Sequence, residues 1–321
     1  MNTPFLPNRP SYDPDIDPVG VKITRGEMVD EKRGNRVVPY KIFRAENARS
    51  AQPVVFWSHG LGGGRDGAGF LSRHLAAHGY IVVHVQHAGS DTKLWEGKPG
   101  HPWDVIRDTK IPRKATLQRF QDVPFLLSQM QEIEELHPEL AGAFDYEHMG
   151  MSGHSFGALT TQMMAGQYRG NERHQYDLNQ KAFKAGILYS PVPTWKDAEL
   201  GKRHYTGIRI PLLHMTGTDD TNPIGNHPYQ KRLPIFESVT RAEQHLFVLN
   251  GGDHMIYNGS RGQLADPVDR ELHERLIKVA ALVFWDAYLY ENESAYDWLV
   301  KGGFASYLNG FGTYVFADKK N

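Results

Sequence analysis

A serine set between glycines, Gly153-His154-Ser155-Phe156-Gly157, directly follows the apolar run Met149-Gly150-Met151. In a G-x-S-x-G segment the glycines let a strand turn abruptly into a helix, so the hydroxyl is held out at a tight corner. A serine hydroxyl is a poor nucleophile by itself. It needs a base to take its proton and a carboxylate to orient that base. Two later segments end in such groups: residues 211–216 run into Gly217-Thr218-Asp219-Asp220, and residues 245–249 run into Gly251-Gly252-Asp253-His254. Ser155, Asp220 and His254 are therefore the candidate nucleophile, acid and base, and the chemistry open to them is attack on a carbonyl carbon. The place three positions after Gly217 favours Asp220 over its neighbour Asp219. His245 is the fallback base, but it stands at the opposite end of its strand.

Attack on a carbonyl develops an oxyanion, which needs donors fixed where the charge appears. Residues 53–58 form a continuous apolar run that ends in His59-Gly60-Leu61-Gly62-Gly63-Gly64. The backbone N–H of Leu61, together with that of Phe156 just after the nucleophile, can supply the two donors.

These groups need a scaffold, and the periodicity of the chain describes one. Residues 19–24 and 36–43 read as a hairpin about the turn Lys32-Arg33-Gly34-Asn35. The buried strand 53–58, a helix with Leu71 and Leu75 on one face and Gly79 as its stop, and the strand 80–85 make a βαβ unit. The fold class expected is α/β, with a mainly parallel central sheet flanked by helices. Leu117, Phe120, Val123, Leu127 and Met130 mark an amphipathic helix kinked at Pro124, and residues 158–167 form the helix that the serine corner feeds. Residues 183–189 read as a buried strand. Asp266 caps a long helix with Pro267 in its first turn and Leu272, Leu276, Val279 and Val283 on its inner face. Residues 88–114 and 191–207 show no period and read as loop insertions forming a partial lid. Trp103, Trp195 and Tyr189, in or beside them, are candidate walls of a substrate pocket.

The chain of 321 residues carries a net charge of −1 and no cysteine. That balance offers no basic field for nucleic acid, and the absence of cysteine excludes a disulfide or a thiolate nucleophile. The apolar run 276–289 is broken by Lys278 and Asp286, so no membrane insertion is expected. Residues 1–18 read as an extended leader and residues 19–321 as a single domain. No cofactor or metal is expected: His84 and His87 flank a strand end without a partner motif and read as packing groups, as does His154. The compartment stays open between cytoplasm and periplasm or secretion.

The order Ser, Asp, His along the chain is that of an α/β-hydrolase. Ser58-His59-Gly60-Leu61-Gly62, His78-Gly79-Tyr80-Ile81-Val82 and the segment around Ser155 resemble platelet-activating-factor acetylhydrolases of the plasma type. They also resemble bacterial hydrolases of the dienelactone-hydrolase-like kind. The resemblance implies a carboxylic-ester hydrolase (a serine esterase or carboxylesterase) with Ser155 as nucleophile, Leu61 and Phe156 as oxyanion-hole donors and His254 as base, preferring short acyl groups. In the acetylhydrolases the acid follows the strand after the nucleophile helix; here that place holds Ser190-Pro191, so the acid falls to the next strand end. True dienelactone hydrolases use a cysteine, which is missing here. Polyester (cutinase-like) hydrolysis and lactonase activity are alternatives on the same triad, so the partner is a small or polymeric ester. A dinucleotide-binding oxidoreductase is a remote rival, since Gly62 to Gly67 matches G-x-G-x-x-G, yet the next strand ends Val85-Gln86-His87 without the acid that holds a ribose. A non-catalytic binding protein on the same fold would lack a triad member.

Overall fold

A computed structural model describes residues 15, 17–171, 174–193, 203–222, 224–225, 227–259 and 267–319. Its centre is a nine-stranded sheet. In chain order the strands are β1 (Val21–Asp30), β2 (Arg36–Ala45), β3 (Gln52–Ser58), β4 (Ile81–Val85) and β5 (Phe144–His154). A small separate ribbon of β6 (Arg169–Asn171) and β7 (His174–Tyr176) follows, and then β8 (Phe183–Tyr189), β9 (Leu212–Asp219), β10 (Gln244–Asp253) and β11 (Gly312–Ala317). The spatial order is β1-β2-β4-β3-β5-β8-β9-β10-β11. From β4 to β10 all neighbours are parallel, while β1, β2 and β11 join antiparallel at the margins.

The strands differ in composition because they differ in cover. All seven residues of β3 and all five of β4 are buried, as suits strands with helices on both faces. On one face lie α1 (Gly69–Ala77) and the helix Pro267–Tyr288, which pack Leu71, Leu75, Val283, Phe284 and Trp285 against the sheet. On the other lie α3 (Arg113–Ser128), α4 (Met130–Leu136) and α5 (Phe156–Met164), contributing Phe120, Val123, Leu126, Met130 and Met163. Gly79, at φ 94°, ends the α1 segment in a conformation that side-chain-bearing residues rarely adopt. Among the described residues no helix is long and apolar enough to cross a membrane.

Two expectations change. Residues 88–114 are not a periodless loop throughout, since they hold α2 (Pro102–Asp108). The His101 side chain accepts from the Trp103 N–H, and Pro102 pre-sets the first turn. Only Ile106 of this helix is buried, so two turns left no apolar period to read. The helix expected over residues 117–130 also ends sooner: α3 contains Pro124 and stops before Gln129, so Met130 opens α4. Asp266 lies outside the described residues.

Candidate active site

Because β3, β5, β9 and β10 run parallel, their carboxyl ends share one edge, and the loop 59–64, Ser155, Asp220 and His254 all emerge there. Ligands in open α/β sheets bind at that edge. Ser155 holds φ 55° and ψ −112°, strained for a non-glycine residue, and its N–H donates to the Tyr189 carbonyl at 2.8 Å. Its own carbonyl accepts from Leu159 N–H at 3.1 Å and so starts α5. The flanking glycines are required by close packing. A Cβ on Gly157 would collide with the Ser58 carbonyl oxygen, and one on Gly153 would sit 2.5 Å from the Gly157 backbone.

Asp220 is fully buried and Asp219 is exposed. Oδ1 of Asp220 accepts the His254 Nδ1–H at 2.7 Å and pairs with Arg232 Nη2 at 2.9 Å. Oδ2 accepts from Ser190 Oγ at 2.7 Å and Thr216 Oγ1 at 2.9 Å. Burial pushes this carboxyl up, but His254, Arg232 and Ser190 together hold it below the usual carboxylate range. With Nδ1 engaged by Asp220, a proton acceptor on this ring has to be Nε2. The His254 backbone is fixed as well, since its carbonyl accepts from His154 Nε2–H at 2.7 Å. Burial lowers His154 to about 3, so it acts as a neutral donor.

Around Leu61 the backbone is committed on both sides. Gly62 N–H donates to the Ser90 carbonyl at 2.9 Å, Gly63 N–H to the Gly60 carbonyl at 3.1 Å, and Trp95 Nε1–H to the Gly62 carbonyl at 2.7 Å. Phe156 opens α5, and the first N–H groups of a helix have no intrahelical acceptor. Ser155, His254 and Leu61 line one cavity of about 590 Å³. Trp95, Trp103, Ile106, Ile224 and Met255 give it apolar walls, while Gln86, Asn222 and Asn258 add amides.

Three aromatic residues expected at the pocket fare differently. Trp103 lines the cavity. Tyr189 does not: its ring is buried in the core, 5.2 Å from Trp57 and 5.6 Å from Tyr257, because it alternates toward the face of β8 covered by the helix Pro267–Tyr288. Trp195 lies outside the described residues. His245 is bonded between the hydroxyls of Tyr314 and Tyr288, at the amino end of β10. His84 bonds Ser72 Oγ and the Arg65 carbonyl, and His87 bonds Ser58 Oγ and Asp122.

Arg232, Thr216 and Ser190 complete the surroundings of Asp220; sequence reasoning named Ser190 only as the residue that ends β8 and did not find the other two. Arg232 sits in a 3-10 turn, Tyr229–Arg232, and reaches Asp220 only through tertiary packing, so no local pattern marks it. Among the described residues one group has metal-ligand character, Asp17, His74 and His78, whose ligand atoms lie within 4.8 Å of one another. Their polar atoms already serve the chain: His74 Nδ1–H donates to Asp17 at 2.8 Å, and His78 Nδ1–H to the His74 carbonyl at 2.7 Å.

A family model described as platelet-activating factor acetylhydrolase, isoform II, matches residues 20–94, which run from the first hairpin through the glycine loop to beyond β4. The platelet-activating factor acetylhydrolase of Cavia porcellus is 23% identical over 329 residues, covering 92% of this chain and 70% of the relative. These likenesses coincide with a mostly parallel sheet that bears a strained serine at its carboxyl edge. The chain is a carboxylic ester hydrolase of the serine type on an α/β-hydrolase fold, similar to the platelet-activating factor acetylhydrolases.

Proposed function

We propose that the protein hydrolyses short-acyl carboxylic esters through a Ser155–His254–Asp220 triad and an acyl-Ser155 intermediate. His254 Nε2 takes the Ser155 Oγ proton as Oγ bonds to the ester carbonyl carbon. The carbonyl oxygen becomes an oxyanion held by the Leu61 and Phe156 N–H groups, and Asp220 stabilises the imidazolium. Collapse breaks the bond to the alcohol oxygen, which leaves with the proton from His254. Water, deprotonated by His254, then releases the acid and restores Ser155.

The observation that carries this reading is the 2.7 Å bond from His254 to the buried Asp220 at the strand edge where Ser155 stands. Short acyl groups are favoured by Trp95 and Ile106, which close over Gly62 beside the oxyanion loop. An added Cβ on that glycine would meet Ile106 Cδ1 at 2.5 Å and Trp95 Cδ1 at 3.3 Å. The name of the Cavia porcellus relative, an acetylhydrolase, agrees with that preference.

The test is intact-protein mass after incubation with a fluorophosphonate, alongside turnover of p-nitrophenyl esters of rising chain length. One adduct mapping to Ser155, loss of turnover in Ser155→Ala and rates that fall with acyl length are the expected results. Unchanged turnover in Ser155→Ala would overturn the reading.

A further inference from the structure

Arg119, in the middle of α3, is fully buried, yet none of its hydrogen-bond acceptors is a carboxylate. Taking a guanidinium out of water without a direct ion-pair partner is costly, and an apolar side chain of similar volume would fill the space at less cost. What the arginine supplies is a rigid fork of donors, and their destinations share a pattern. Nη2 donates to the His59 carbonyl and, at 2.9 Å, to Ser58 Oγ. Nη1 donates to Ser90 Oγ at 2.9 Å, and the Ser90 carbonyl takes the Gly62 N–H. Leu61 is thus bracketed, with Arg119 holding the residues that fix the backbone before and after it. On the other side Nε donates to Thr160 Oγ1 at 3.0 Å, whose hydroxyl donates to the Phe156 carbonyl at 3.0 Å. The guanidinium carbon lies 4.4 Å from the centre of the Phe156 ring.

We infer that Arg119 is the positioning residue of the oxyanion hole, tying the Leu61 loop and the Phe156 helix start into one preorganised pair of donors. The inference rests on the esterase reading. Misplacing a donor penalises the charged intermediate and leaves ground-state binding almost unchanged, because the substrate's neutral carbonyl draws little from these N–H groups.

The experiment compares wild type, Arg119→Lys, Arg119→Met and Ser155→Ala in kcat and KM for p-nitrophenyl acetate. It also compares the inhibition constant of a trifluoromethyl ketone, which forms an oxyanion on the serine. The expected result for the Arg119 variants is a kcat loss of about 100-fold to 1000-fold, the size of losing one oxyanion donor. KM should stay within about threefold, and ketone affinity should weaken in parallel with kcat. Lysine cannot reach four acceptors and should rescue only in part. Where Arg119→Met fails to fold, Ser90→Ala and Thr160→Val remove one acceptor each and should show the same kcat-only signature at roughly threefold to tenfold. Folded variants that keep wild-type kcat, or that lose kcat without losing ketone affinity, would overturn the inference alone. Equal rates in wild type and Ser155→Ala would remove the esterase reading and this inference with it.

Discussion

Asp220 keeps its charge at zero exposure because four neighbours face its two oxygens: His254 and Arg232 on one, Ser190 and Thr216 on the other. Replacing one of those oxygens with an amide nitrogen puts an N–H₂ where a donor now points, and it reverses the tautomer that the proposed triad requires of His254. Asp220→Asn is therefore expected to lower kcat by about 10³- to 10⁴-fold with the fold retained. Asp219 carries its carboxylate into solvent, and Asp219→Asn should leave kcat within about twofold. Steady-state kinetics on the two variants check this, and equal losses would remove Asp220 from its role. The elbow glycines make a different kind of claim. Gly157→Ala pushes a methyl into the Ser58 carbonyl, which belongs to a central strand and cannot yield, so the variant should lose thermal stability as well as turnover.

At the scale of elements, two neighbouring strand ends, those of β8 and β9, stand where an acid could be presented, and the proposed triad draws on the later one. Ser190 follows β8, and its hydroxyl lies 2.7 Å from the Asp220 carboxylate. Because Ser190 touches the carboxylate that bonds His254, a carboxylate at position 190 is expected to come near the same histidine. Ser190 also holds φ 54°, a conformation aspartate tolerates better than most residues. Asp220→Ser should cost about 10³-fold or more in kcat. Adding Ser190→Asp to it should recover at least about tenfold of that loss, by the interaction between neighbouring positions that double-mutant cycles detect. A folded double variant no faster than Asp220→Ser would show that the β8 end cannot serve His254.

The strand ends were legible because a buried parallel strand is a continuous apolar run and its turn is punctuated by glycine, so Ser155, Asp220 and His254 each stood at a readable boundary. Arg119 and Arg232 carry no such mark. A buried arginine resembles a solvent-facing one in sequence, and only the packing of α3 on α5, or of a 3-10 turn on β9, reveals its acceptors. Tyr189 was misread for a related reason: the end of its strand was legible, but the face toward which its ring points was not. Helix α2 was missed because capping by His101 and one buried isoleucine leave no periodic trace.

At the scale of the whole molecule, six of the buried imidazoles among the described residues are held neutral by burial: those of His59, His84, His87, His154, His214 and His245. Burial is the first cause in each and holds the ring neutral, lowering His84, His154 and His245 to about 3 and His87 and His214 to about 4, with His59 well below its ordinary value of 6.5. In the unfolded chain the same rings would take up protons near pH 6.5, so between that pH and about 4 the unfolded state binds more protons than the folded one. Stability then rises with pH across this window, is fully present above 6.5 and is lost progressively below it. Each such ring makes the unfolding free energy fall with pH across this window, so several acting together should lower stability measurably in mild acid. The depressed carboxyls of Asp122 and Asp220 act in the same direction but lower down, their contribution fading only as pH falls below about 4. Urea unfolding measured from pH 7.5 to pH 4.5 separates the two sets. The expected midpoint is level down to about pH 6.5 and then declines steadily, as histidines require. A midpoint that holds level to pH 4.5 would assign acid sensitivity to the carboxylates alone and would mean that the buried rings are as easily protonated folded as unfolded.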